Sequence, residues 1–212
     1  MKKREVDSLL NKGFTSALKK HKPKKEKKRF LFVFGDIYLN FGYGLVDSDN
    51  SFPTTFSYKV GCRQLYQILS KMFPDRYNEK NKYPLAIGTG QIALFDEGKY
   101  PVLEYDIYTE QDAQKMVDEV SDYILNSVLP PWEANPTIEY LEKQVNSEVK
   151  DVPNFSGLIL AKMVDNPNFE LIKKTLVDFS NNWSEFDKKD LIAVIEFLDV
   201  HSAEEIMRIG NQ

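Results

Sequence analysis

The run Ile37-Tyr38-Leu39-Asn40-Phe41-Gly42-Tyr43-Gly44-Leu45 alternates strictly. Ile37, Leu39, Phe41, Tyr43 and Leu45 share one side, and Tyr38, Asn40, Gly42 and Gly44 share the other. Only a β-strand repeats every second residue, so a sheet must be built early in this chain. Phe30-Leu31-Phe32-Val33-Phe34 precedes it as a short apolar strand, with Gly35-Asp36 as a two-residue hairpin turn. Phe56, Tyr58 and Val60 alternate with Thr55, Ser57 and Lys59 and give a third strand.

The period differs on either side of this block. Val6, Leu9, Leu10, Phe14, Ala17 and Leu18 lie on one face of a helix, which Pro23 closes. Leu65, Ile68, Leu69 and Met72 mark a short helix stopped by Pro74. Short strands are expected at Tyr83–Ile87, Ile92–Phe95 and Val102–Ile107. Thr109 and Asp112 then form a capping box, with Asp in the usual Glu position. A long amphipathic helix follows, which Pro130-Pro131 is expected to end. Thr137 caps the next helix. After a linker at 146–154, helices are expected over 155–164, 168–179, 187–199 and 202–209, the last opened by a Ser202/Glu205 box. Strands first and helices second is the α+β pattern. The expected architecture is an antiparallel sheet packed by the N-terminal and central helices, followed by a helical C-terminal region. The expected domains are 1–146 and 155–212.

Charge is divided as sharply as structure. Residues 1–29 carry a net +9, and the remainder −13. Such a split marks a partner-binding tail or an attraction within the chain. The single cysteine, Cys62, rules out an internal disulfide and a multi-cysteine zinc site. No apolar run has signal-peptide length, and none reaches the roughly 18 residues a bilayer demands. A cytoplasmic protein without a membrane contact is therefore expected.

Several motifs resemble chemistry and fail its requirements. Gly88-Thr89-Gly90-Gln91-Ile92-Ala93 satisfies G-x-G-x-x-A, yet Asp96-Glu97-Gly98 and Pro101 break the helix a dinucleotide needs there. Asp47-Ser48-Asp49-Asn50-Ser51 has the acids of a calcium loop, but Phe52 and Tyr58 stand where Gly and Glu are required. His21 and His201 have no motif-spaced partners. Cys62 lies between a strand and a helix and reads as a packing residue. No metal and no cofactor is expected.

Three surfaces carry functional readings. Tyr38, Asn40, Tyr58, Tyr105 and Tyr108 form a candidate aromatic, polar sheet face; the alternative is a face covered by helices. Glu97, Glu104, Asp106, Glu110 and Asp112 surround one strand and contain enough carboxylates for general acid–base work. The basic stretch Lys19–Arg29, with Lys24, Lys25, Lys27 and Lys28 at its centre, has three readings. It contacts phosphates, it is a solvated connector, or it docks on the chain's own acidic helices.

The order of elements carries a resemblance. Asn11-Lys12-Gly13-Phe14 ends the first helix, Leu39-Asn40-Phe41-Gly42 lies in the strands, and Val128-Leu129-Pro130-Pro131-Trp132 ends the central helix. Over residues 1–145 the chain resembles the bacterial DUF4304 group of domains. It departs from them in the basic 19–29 segment and in Lys99-Tyr100-Pro101-Val102-Leu103. The resemblance implies an α+β fold, bacterial origin and, by analogy, an immunity-like binding role. The expected function is a non-catalytic protein-interaction module with a protein partner. The alternatives are a small-molecule enzyme using carboxylates near Glu104 and Asp106, and nucleic-acid binding through Lys19–Arg29.

Overall fold

A computed structural model describes residues 1–48, 50–75, 77, 91–92, 104–146 and 155–212. The chain is an α+β protein. Helix α1 (Lys3–Ala17) leads through a 3-10 turn (Lys19–His21) to strand β1 (Lys24–Glu26). Strands β2 (Arg29–Phe34), β3 (Ile37–Leu45) and β4 (Phe52–Cys62) follow, then α2 (Arg63–Met72) and the short β5 (Gln91–Ile92). Strand β6 (Glu104–Ile107) precedes α3 (Glu110–Tyr123), a π-turn (Ile124–Val128) and α4 (Leu129–Ala134). The rest is helical: α5 (Ile138–Asn146), α6 (Phe155–Met163), α7 (Phe169–Phe179), α8 (Glu185–Val200) and α9 (Ala203–Gly210).

The sheet runs β1-β2-β3-β4-β5, with β6 antiparallel to the start of β4. Its central hairpin pairs Phe34 with Ile37, so Gly35 and Asp36 are the two-residue loop the sequence predicts. Gly35 takes φ +62°, a conformation a side chain disfavours, which is why glycine opens this turn.

Two compact units divide the chain: Met1–Val60 with Ala93–Asn135, and Gly61–Ile92 with Pro136–Gln212. The first is organised by aromatic packing. Phe14 of α1 is fully buried and lies 5.2 Å from the Phe41 ring and 5.7 Å from the Tyr43 ring. Phe30 stacks on Phe41 at 5.4 Å, and Phe41 meets Phe56 at 4.8 Å. Burying each such ring stabilises the fold by about 1.5–3 kcal/mol. Helix α1 also lies against α3, where Gly13 lets the backbones close on Val117.

The second unit is built around α6. Leu158, Ile159, Leu160 and Ala161 are all fully buried, as expected of a helix that is apolar on every side. Helices α2, α5, α7, α8 and α9 pack on it. Gly210 of α9 sits against Gln64 of α2, whose amide donates to Asn211 Oδ1 at 2.7 Å.

The helix caps follow the sequence. Thr109 and Asp112 form a reciprocal box, as do Ser202 and Glu205. Thr137 Oγ1 accepts from Tyr140 N. Pro130 and Pro131 require a correction. They do not end the helical path but stand in the first turn of α4, where a missing N–H costs nothing. The third strand is also longer than its alternation indicates, running through Gly61 to Cys62. The basic stretch is not a free connector either: three of its residues form β1.

Several sequence features lie outside the described residues. They are the expected strand Tyr83–Ile87, most of the Gly88–Ala93 motif and of Ile92–Phe95, Glu97, Val102-Leu103, Asp49 and positions 147–154 of the expected linker.

Candidate functional site

The basic stretch is folded onto the polar side of α1. Glu26 pairs with Arg29 across a two-residue loop, Lys27-Lys28. Lys27 holds φ +52° there, and Lys22 holds φ +46° where the 3-10 turn ends. Non-glycine residues rarely take such angles, so neighbouring contacts must maintain them. Asn11 Nδ2 donates to Lys27 O at 3.2 Å. Lys28 Nζ lies 2.9 Å from Asp7 Oδ1 and over the Tyr43 ring. Lys25 Nζ donates to Asn11 Oδ1 and to Thr15 Oγ1. Lys25 and Lys28 dock within the chain, but on α1, which carries Lys3, Arg4 and Lys12 against Glu5 and Asp7, and not on an acidic helix as expected.

Tyr43 shares the same carboxylate. Its hydroxyl donates to Asp7 Oδ1 at 3.0 Å. Burial and then the negative charge of Asp7 hold the phenol well above its ordinary pKa.

Beside this docked segment the sheet has an open edge. In a two-residue hairpin the residues closing the loop exchange both backbone hydrogen bonds, and the pattern alternates from there. Phe34 closes the β2–β3 loop, so Phe34 and Phe32 turn their N–H and C=O towards β3. Arg29 closes the β1–β2 loop, so Arg29, Leu31 and Val33 turn theirs the opposite way. Lys24 pairs with Leu31, and there β1 ends. Pro23 and the left-handed Lys22 carry the chain off the edge before it reaches Val33. A hollow of about 130 Å³ opens there, walled by Leu31–Phe34, His21, Lys22, Lys24 and Glu133. His21 Nδ1 stands 3.1 Å from Glu133 Oε1, fixing the 3-10 turn to α4. A second, more open hollow of about 350 Å³ runs along α1 past Arg4, Asp7, Ser8, Asn11 and Lys12.

The other candidate residues are placed as follows. Tyr38 and Asn40 are buried, at 0% and 7% exposure, and belong to the interior instead of a presented face. Alternation assigns them to one side of β3, but that side is covered too. Tyr58 is half-buried, 6.4 Å from the Phe56 ring. Tyr105 is half-buried and donates to Glu119 Oε2 at 3.1 Å; burial, then Glu119, pushes its pKa up to about 12. Tyr108 is exposed. These tyrosines do not share a surface with Tyr38 and Asn40. Lys24, Lys25 and Lys27 are exposed, and Lys28 is half-buried.

The carboxylates near β6 have structural partners. Asp106 accepts weakly from Ser51 Oγ at 3.4 Å. Asp112 accepts from Thr109 N and Oγ1 and from Tyr108 N, and these bonds lower its pKa. The side chain of Glu104 lies outside the described residues. His201 Nδ1 meets Phe197 O at 2.8 Å, and Cys62 is fully buried at the start of α2. Among the described residues no three His, Cys, Asp or Glu side chains gather as a metal site would require. No described helix is long and apolar enough to cross a membrane.

The arrangement places the Val33 backbone groups beside the positive charges of Lys22 and Lys24. No family model, curated protein or solved structure matches the chain. The open edge and the His21–Glu133 contact were not anticipated from sequence. One signal was present: an acid and a base flanking Lys27-Lys28, ahead of the apolar Phe30–Phe34 run, is a hairpin pattern.

Proposed function

We propose that the protein is a non-catalytic protein-interaction module and that the cationic rim of the β1–β2 edge is its contact surface. One observation carries this reading: Lys22 and Lys24 line an accessible hollow, next to a hairpin that α1 holds in place. Asn11, Asp7 and Thr15 fix Lys25, Lys27 and Lys28, and Lys22 and Lys24 line the opening. A preorganised cationic surface binds an acidic partner without first ordering itself. The bacterial, immunity-like role implied by the DUF4304 resemblance belongs to the same proposal.

The test is affinity capture from a native lysate, with wild type beside Lys22→Glu/Lys24→Glu. A partner held by wild type in moderate salt and released by the double variant supports the reading. Turnover of a metabolite, with no partner recovered, overturns it in favour of the carboxylate enzyme. Salt-sensitive binding of nucleic acid that disappears when Lys19, Lys20, Lys22 and Lys24 are neutralised would favour the phosphate-binding alternative.

A further inference from the structure

We infer that the hollow beside Val33 is a strand-addition site, which takes an extended, acidic segment of a partner polypeptide as an extra strand on β2. The inference rests on the reading of the protein as an interaction module and names how that module recognises its partner.

The backbone supplies the first argument. Strand β2 has six residues, but β1 pairs only with Arg29, Phe30 and Leu31. The alternation set by both hairpin loops aims the Val33 N–H and C=O at the place β1 would occupy if it continued. Pro23 and Lys22 prevent that continuation. Edge groups left this way are a template for another chain, and main-chain pairing is a recurrent mode of peptide recognition.

Charge supplies the second. Lys22 and Lys24 stand on the rim of the hollow. Glu133 is the acid on its wall, and it is held against His21. An acidic segment therefore meets cations as its backbone pairs. A second copy of this chain would bring the same lysines against each other, so edge-to-edge self-association is disfavoured. The rim that repels a copy is complementary to an acidic strand.

The probe is a capped peptide of about six residues, a common strand length, alternating Glu and Val. The readout is amide hydrogen exchange by NMR on the isotope-labelled full chain. In the free protein, Val33 N–H is expected to exchange quickly and Phe32 and Phe34 N–H slowly. Adding peptide should slow Val33 at least about tenfold. The same peptide N-methylated at alternate residues should give no protection, and neither should its Lys-for-Glu counterpart. Val33→Pro removes the outward donor that β1 does not reach while leaving the bonds to β3 intact, since proline is tolerated where its nitrogen faces away from the sheet. It should weaken binding about five- to tenfold, the effect of roughly one hydrogen bond. Unchanged protection of Phe32 and Phe34 in this variant would show that β2 is still folded.

Slow exchange of Val33 without peptide overturns the inference. So does equal binding of peptide by wild type and Val33→Pro. If that binding still depends on Lys22 and Lys24, strand addition fails and the interaction module stands. If a natural partner is captured through Lys22 and Lys24 but the acidic peptide does not bind, strand addition again fails alone.

Discussion

Replacing Gly13 by alanine sets two known effects against each other. Alanine in a helix interior is favoured over glycine by about 0.8–1.0 kcal/mol. At this position, however, the new Cβ would lie 2.7 Å from Val117 Cγ2 and 3.0 Å from Cγ1. Val117 is buried within α3, at 3% exposure. A β-branched side chain in a helix has one strongly preferred rotamer, so it does not turn aside cheaply. Overpacking of this kind costs about 1–3 kcal/mol. The net expectation is destabilisation of about 1 kcal/mol, a fall in Tm of about 2–4 °C for a chain of this size. The two tryptophans make the measurement local, because Trp132 lies in the first unit and Trp183 in the second. In a Trp183→Phe background, urea unfolding followed by Trp132 fluorescence reports the first unit. Val117→Ala alone should cost about 2 kcal/mol. Gly13→Ala with Val117→Ala should be about 2 kcal/mol less destabilised than the sum of the singles, because the clash is gone. Stabilisation by Gly13→Ala, or strict additivity, would refute the close approach of α1 and α3.

Tyr105 should ionise near pH 12 in an ultraviolet titration, and Glu119→Gln should bring it part of the way back towards 10.0. Its folded pKa is raised, so its contribution to stability is complete below pH 10 and is lost as pH rises towards 12. Asp7→Asn should likewise make the Tyr43 phenol more acidic while burial keeps it above its ordinary value. Thermal unfolding should change little in that variant, by about 0–1 kcal/mol, because the Asp7–Lys28 pair is partly exposed. Thr137→Ala removes the acceptor for Tyr140 N and should destabilise α5 by about 1 kcal/mol, read as faster amide exchange at Tyr140.

Local signals are legible where the physics is local. The apolar stripe of α1, the Gly35-Asp36 turn and the caps at Thr109, Thr137 and Ser202 depend on residues within a few positions of one another. Tyr38 and Asn40 show where such reading stops. Alternation tells which residues share a side of β3, but coverage of that side is decided by distant segments. Pro130-Pro131 shows the same limit, since proline suits both the residues after a helix and the first turn of the next. Lysines rarely favour strands, yet Lys24 and Lys25 form β1 because β2 offers a ladder. The edge at Val33 is subtler still. It follows from two hairpin loops of equal length flanking a six-residue strand, and no residue type announces it.

The division of the first unit between Met1–Val60 and Ala93–Asn135 constrains the order in which the chain is made into a protein. A ribosome delivers Phe14, Phe30 and Phe41 long before it delivers Met116, Val117 and Val120, against which α1 must close. Helix α1 therefore waits with its α3-facing side open while Gly61–Ile92, which belongs to the other unit, is added. At about 5–20 residues per second that wait lasts several seconds. The second unit waits longer, because α2 emerges early and its neighbour α9 follows only after α8. Translation speed across residues 61–110 should thus influence how much of this protein reaches its native state, even with every residue unchanged.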